Sequence, residues 1–147
     1  MQYSILNAKN SLPSTEELVE LYDAVGWSAY TRAPERLVPM LDGSRYLYVA
    51  RENTTEGAER LIGLVRAVGD GQTIAYIQDL LVHPQAQHHG IGSALLGKIL
   101  ADFDRESIRQ RFITTDIMDT PVIELYRRFG FTPVQDNGCV TLAKYVF

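Results

Sequence analysis

The sequence predicts an α+β or mixed-sheet layer fold, and three observations point to it. Runs rich in β-branched and aromatic residues follow one another at Arg45–Arg51, Leu61–Val68 and Thr73–Val82, with turn-forming residues between them. The period then changes, because Ile91, Leu95, Leu96, Ile99 and Phe103 fall on one helical face. Beyond that helix the signals read strand, helix, strand, and the three preceding strands rule out a regular βαβ series.

Taken in order, the apolar-rich Gln2–Leu6 predicts a first strand. Ser14-Thr15-Glu16-Glu17 has the serine-x-x-glutamate form of a capping box, and Leu18, Leu21, Tyr22 and Val25 then form one apolar stripe that Gly26 ends. Pro34 opens a second, shorter helix over Glu35–Leu41, which Pro39 would cut short. Asn53–Gly57 separates the first two central strands, and Gly69-Asp70-Gly71 carries a hairpin signal between the second and third. Arg111–Ile117 reads as a strand. Pro121–Phe129 reads as a helix with Thr120 at its N-cap, Pro121 at its first position and Gly130 closing it; Val140–Val146 reads as a final strand. With no linker, repeat or low-complexity segment, residues 1–147 are expected to form one domain.

The chain has 147 residues, 46% apolar and 22% charged, which suits a globular protein with one core. Fourteen basic against eighteen acidic side chains leave a formal charge of -4, so no whole-chain positive field gathers phosphate backbones, and nucleic acid is disfavoured as a partner. The single cysteine, Cys139, excludes an internal disulfide and a multi-cysteine zinc site. No signal-peptide pattern and no long apolar run occurs, so a cytoplasmic protein without a membrane partner is expected.

The functional centre falls at the strand-to-helix junction Leu80-Leu81-Val82-His83-Pro84-Gln85-Ala86-Gln87-His88-His89-Gly90-Ile91-Gly92-Ser93. A helix start offers unpaired N–H groups and about half a positive charge, and glycines let an anion approach the main chain. A tight loop packed on the sheet would use the same glycines. Two nucleotide motifs fail here: Gly92 is followed by Ser93-Ala94 where a P-loop needs lysine, and the antiparallel strands do not supply the βαβ unit of a dinucleotide fold.

Gln87-His88-His89-Gly90-Ile91-Gly92 resembles the glutamine/arginine-x-x-glycine-x-glycine/alanine signature of the GNAT superfamily of N-acetyltransferases. Glu124-Leu125-Tyr126-Arg127-Arg128-Phe129-Gly130-Phe131 resembles its second hallmark, a tyrosine-bearing helix ending in glycine-phenylalanine. The match covers nearly the whole chain and specifies no substrate. It implies a mixed, largely antiparallel central sheet with helices on both faces, the acyl-CoA N-acyltransferase fold, and acetyl-CoA as cosubstrate. By this resemblance the backbone of Gln87, His88, His89, Gly90, Ile91, Gly92 and Ser93 would hold the pyrophosphate, and the strand edge at Leu80, Leu81 and Val82 would pair with the pantetheine arm. Many members carry an asparagine seven residues before the tyrosine to contact the cofactor. Asp119 stands there in this chain, at a position that also suits a helix start.

Acyl transfer to an amine needs a deprotonated amine, a stabilised oxyanion and a proton for the leaving thiolate. The family places its acid at Tyr126, which also belongs to an apolar helical face with Val122, Leu125 and Phe129. Asp79 is the candidate base. An ordinary aspartate near pKa 3.9 is poorly matched to an ammonium near 10, so the alternative is a charge that pairs with an arginine. Trp27, Tyr30 and Arg32 lie where the family places its acceptor side, and an aromatic pair there could hold an amine or clamp a loop to the core. His83, His88 and His89 lack metal-ligand spacing, so no metal is expected, and no nucleophile is placed by Cys139. The implied activity is direct acetyl transfer from acetyl-CoA to a primary amine of a small molecule or protein. A noncatalytic acyl-CoA sensor is the alternative, and a homodimer is a further expectation from the family and from open strand edges.

Overall fold

The structure is a computed structural model and describes residues 1–57 and 59–146. It divides into two compact units, residues 1–114 and the remainder from 115, and each is described by itself.

The first unit is built on five strands: β1 (Tyr3–Asn7), β2 (Tyr46–Asn53), β3 (Glu59–Gly69), β4 (Ile74–Val82) and β5 (Gln110–Ile113), adjacent in that order. Every neighbouring pair is antiparallel except β4 and β5, which run parallel. The parallel step follows from the chain path, because a helix intervenes between those two strands. At the β3–β4 turn the Asp70 side chain accepts the N–H groups of Gln72, Thr73 and Ile74, and Gly71 takes a φ of 72°. The aspartate thus closes the loop that its glycine neighbour bends.

Between β1 and β2 lie α1 (Thr15–Ala24), α2 (Ser28–Thr31) and α3 (Leu37–Asp42), the last preceded by a 3₁₀ turn over Pro34–Arg36. The capping box forms as its sequence predicts: the Glu17 N–H donates to Ser14 Oγ, and the Ser14 N–H to the Glu17 carboxylate. The helix predicted over Glu35–Leu41 is split, since the backbone is 3₁₀ to Arg36 and α-helical only from Leu37. α2 was not predicted.

α4 (Ile91–Arg105) covers one face of the sheet and α1 with α3 the other. The two faces can be told apart at Gly63 and Leu64, whose side-chain directions are opposite. A Cβ at Gly63 would sit 3.2 Å from Leu95 Cδ1 and 3.3 Å from Ile91 Cγ2, so the missing side chain lets α4 lie close. Leu64 instead joins the core of Leu18, Leu21, Tyr22, Leu37, Leu41, Leu47 and Leu81. Leu64 and Arg66 share that second face, as do Asp79 and Leu81.

The second unit contains α5 (Thr120–Arg128) and a 3₁₀ turn over Val134–Asn137. The strand expected at Arg111–Ile117 is shorter and starts earlier, as β5. Val140–Val146, expected as a final strand, joins no strand pairing among the described residues. The N-cap of α5 is Asp119 instead of Thr120: Asp119 Oδ1 accepts the Val122 N–H at 3.3 Å. A carboxylate at that position also favours the positive helix end.

Candidate active site

β4 treats its two edges differently. Toward β3 it pairs from Val82 back to Ala75, whereas β5 pairs only with Ile74–Ile77. Over Gln78–Val82 the backbone groups turned away from β3 have no strand partner among the described residues, so the stretch holding Leu80, Leu81 and Val82 is an open edge. A bulge marks where the edge opens. Arg66 pairs with Asp79 and Ala67 with Ile77, leaving Gln78 as the extra residue.

That edge runs into the glycine loop. His83 caps the turn Pro84–Ala86, its Nδ1 accepting the Gln85 N–H at 3.1 Å; burial, then the Arg60 charge, lowers its pKa. Gln87 Nε2 donates to the Val82 carbonyl at 3.2 Å, and the Tyr3 hydroxyl to the His89 carbonyl at 3.4 Å. His88 and Gly90 take left-handed φ values of 68° and 77°. Left-handed residues in a short loop turn successive N–H groups toward one concavity.

Gly90 is also the N-cap of α4 and brings no side chain to it. The first intrahelical bond runs from the Ala94 N–H to the Gly90 carbonyl at 3.0 Å. The N–H groups of Ile91, Gly92 and Ser93 therefore have no acceptor within the helix, and no acidic residue in its first turn offsets their dipole. An anion docks there on main chain alone. His88 and His89 are exposed, and no group of three or more His, Cys, Asp or Glu side chains among the described residues is placed to hold a metal.

Asp79 lies on the α1 face, buried at 3% exposure. Its Oδ2 accepts from Arg66 Nε at 2.5 Å and from the Tyr22 hydroxyl at 2.9 Å, and its Oδ1 from the Tyr30 hydroxyl at 2.8 Å. Arg66 also donates to Ser44 Oγ at 3.3 Å and to the Tyr30 hydroxyl at 3.5 Å, which takes a further bond from the Gln78 amide. Burial opposes the Arg66 charge, but the Asp79 carboxylate outweighs it and holds the guanidinium pKa above its usual value. Burial first, then the same carboxylate, raise the phenols of Tyr22 and Tyr30. No buried side-chain N or O among the described residues is left without a hydrogen bond, so this polar network is fully satisfied.

The three residues proposed for an acceptor meet unequal fates. Tyr30 joins the network, and Trp27, 37% exposed, packs near it with ring centroids 6.3 Å apart. Arg32 caps α2 and is exposed. The sequence marks Tyr22 only as part of an apolar stripe and gives Ser44 and Gln78 no site role, whereas Arg66 interrupts the otherwise apolar LIGLVRAV run, a signal that was available.

In the second unit Tyr126 is buried on α5, its ring 6.2 Å from that of Phe131. Burial, with a smaller contribution from Asp119, pushes its hydroxyl up to about 12. Cys139 is exposed.

Comparison with known proteins gives a consistent answer. The family model described as the acetyltransferase (GNAT) family matches residues 11–131. An uncharacterised N-acetyltransferase, ycf52, of Gracilaria tenuistipitata var. liui is 29% identical over 128 residues, covering 87% of this chain and 67% of its own. A histone acetyltransferase of Glycine max, TAP1, is 34% identical over 121 residues, 78% of this chain and 50% of that one. The chain thus spans about two thirds of the first relative and half of the second. A GNAT family acetyltransferase structure from Streptococcus pneumoniae TIGR4 superimposes with a TM-score of 0.79 at 28% identity, covering 99% of this chain and 98% of the other.

Proposed function

Because this chain belongs to the GNAT family of acetyltransferases, whose cosubstrate is acetyl-CoA, we propose that it moves the acetyl group directly to a primary amine of a small molecule or protein, with residues 1–147 as one catalytic domain. The observation that carries this reading is the continuity of the open β4 edge with the glycine-capped start of α4. An extended arm paired along Leu80–Val82 would bring its diphosphate to the N–H groups between His88 and Ser93. Acetyl-CoA supplies the activated acyl group; the chain binds, orients and handles protons.

Tyr126 is proposed as the proton donor. Its raised pKa keeps the hydroxyl protonated throughout the physiological range. Of the two roles for Asp79, the paired charge is the better supported, since three donors already occupy its carboxylate. The amine then loses its proton to solvent. Asp119 is engaged as a helix cap, and a cofactor contact from it would compete with that bond.

Calorimetric titration with acetyl-CoA, alongside a Gly90→Trp variant shown by circular dichroism to be folded, tests the reading. Saturable binding by the wild type and none by the variant is expected. No binding by the folded wild type would overturn the acetyltransferase assignment. If acetyl-CoA binds but Tyr126→Phe leaves turnover unchanged, the proposed acid is wrong.

A further inference from the structure

The four-residue helix α2 is too short to persist on its own, buries no residue and has no side-chain cap. Its firmest attachment is one side chain. The Tyr30 hydroxyl donates to Asp79 Oδ1 at 2.8 Å and accepts from the Gln78 amide and from Arg66 Nη2, while its ring lies 4.8 Å from that of Tyr22. Two further ties, Thr31 Oγ1 to Asp23 Oδ1 at 2.5 Å and the Trp27 N–H to the Tyr22 carbonyl at 3.0 Å, lead back to α1, away from the sheet. Gln78 and Asp79 are the bulged residue and its neighbour, where β4 parts from β5.

We propose that Tyr30 is a positioning residue for the amine acceptor, a latch through which the Arg66–Asp79 pair fixes the Trp27–Arg32 segment beside the opening of the β4 edge. This rests on the acetyltransferase reading. An amine attacking an acyl group held along that edge must approach past its open end, and Tyr30 ties the latched segment to that point. The buried ion pair is what makes the latch rigid: both partners are buried and each is held by further hydroxyls, so the carboxylate that the Tyr30 hydroxyl bonds has one defined place.

The test compares Tyr30→Phe with Tyr22→Phe, which removes a donor from the same carboxylate while keeping the ring that packs against Tyr30 and breaking no hydrogen bond to α2. Hydrogen–deuterium exchange over residues 27–32 should rise at least tenfold in Tyr30→Phe and stay within twofold in Tyr22→Phe. Acetyl-CoA affinity should be unchanged in Tyr30→Phe. Thiol release from acetyl-CoA, measured with tryptamine, spermidine and a lysine-containing peptide as amine probes, should show at least a tenfold higher KM for whichever probe the wild type uses, with kcat within threefold. Unchanged exchange at 27–32, or a loss in kcat at constant KM, would overturn the latch. Failure of the wild type to bind acetyl-CoA would instead overturn the acetyltransferase reading, and the exchange comparison would still decide the latch.

Discussion

Arg66 Nε and Asp79 Oδ2 lie 2.5 Å apart at paired positions of β3 and β4, with side chains 8% and 3% exposed. Two opposite charges in so dry a place are tolerable only together, because each offsets the desolvation of the other and hydroxyls from three further segments take up the remaining bonding capacity.

Removing one partner should therefore be costly. Asp79→Ala leaves a buried guanidinium and two phenols without their acceptor, and should lower the unfolding free energy by about 3–5 kcal/mol in urea titration. A loss under about 1 kcal/mol would show that the pair does not anchor this face.

Gly90 tests backbone strain apart from packing. Its φ is 77°, and a Cβ there would meet nothing within 4 Å. Gly90→Ala should cost about 1–2 kcal/mol in thermal or urea unfolding through the left-handed penalty alone, and Gly90→Asn less. Equal stability of Gly90→Ala and wild type would contradict the assigned conformation.

The pH dependence of transfer separates the proton roles. With Tyr126 pushed up to about 12 and Asp79 engaged by three donors, kcat/KM for an amine should climb about tenfold per pH unit below the amine's own pKa, then level, without a fall before pH 10. Tyr126→Phe should lower kcat by about 10²–10⁴. A descending limb between pH 8 and 10 that disappears in Tyr126→Phe would refute the raised pKa.

Acid stability should depend on Glu17, which both completes the α1 capping box and bonds Arg51 at 2.6 Å. The Arg51 hydrogen bond, against a smaller opposing effect of burial, holds its pKa below the ordinary value. The stabilisation is then full above the unfolded value near 4.3 and is lost as pH falls through the lower folded one. Glu17→Gln should flatten the decline in melting temperature below about pH 4.5, and a parallel decline in both proteins would rule the group out.

Ser14→Ala should cost about 1 kcal/mol by removing the acceptor of the Glu17 N–H. Urea midpoints at unchanged slope would measure it.

What the sequence determined by itself is the part written in local chemistry. The capping box at Ser14, the period that makes Ile91–Phe103 a helix, the Asp70-Gly71 turn and the glycine loop after Val82 each depend on residues a few positions apart, and each forms. The family followed from two such motifs. Tertiary structure alone decided the rest. Asp79 meets Tyr22, Tyr30 and Arg66 from 57, 49 and 13 residues away, because strand register and helix placement bring their side chains to one face. Strand pairing is equally nonlocal: β5 starts at Gln110 and stops at Ile113, short of the Ile117 end that the sequence suggests, and Val140–Val146 has strand-forming residues but no ladder among the described residues. A strand is defined by its partner, whereas a helix closes its hydrogen bonds within its own segment, so periodicity alone locates the second better than the first.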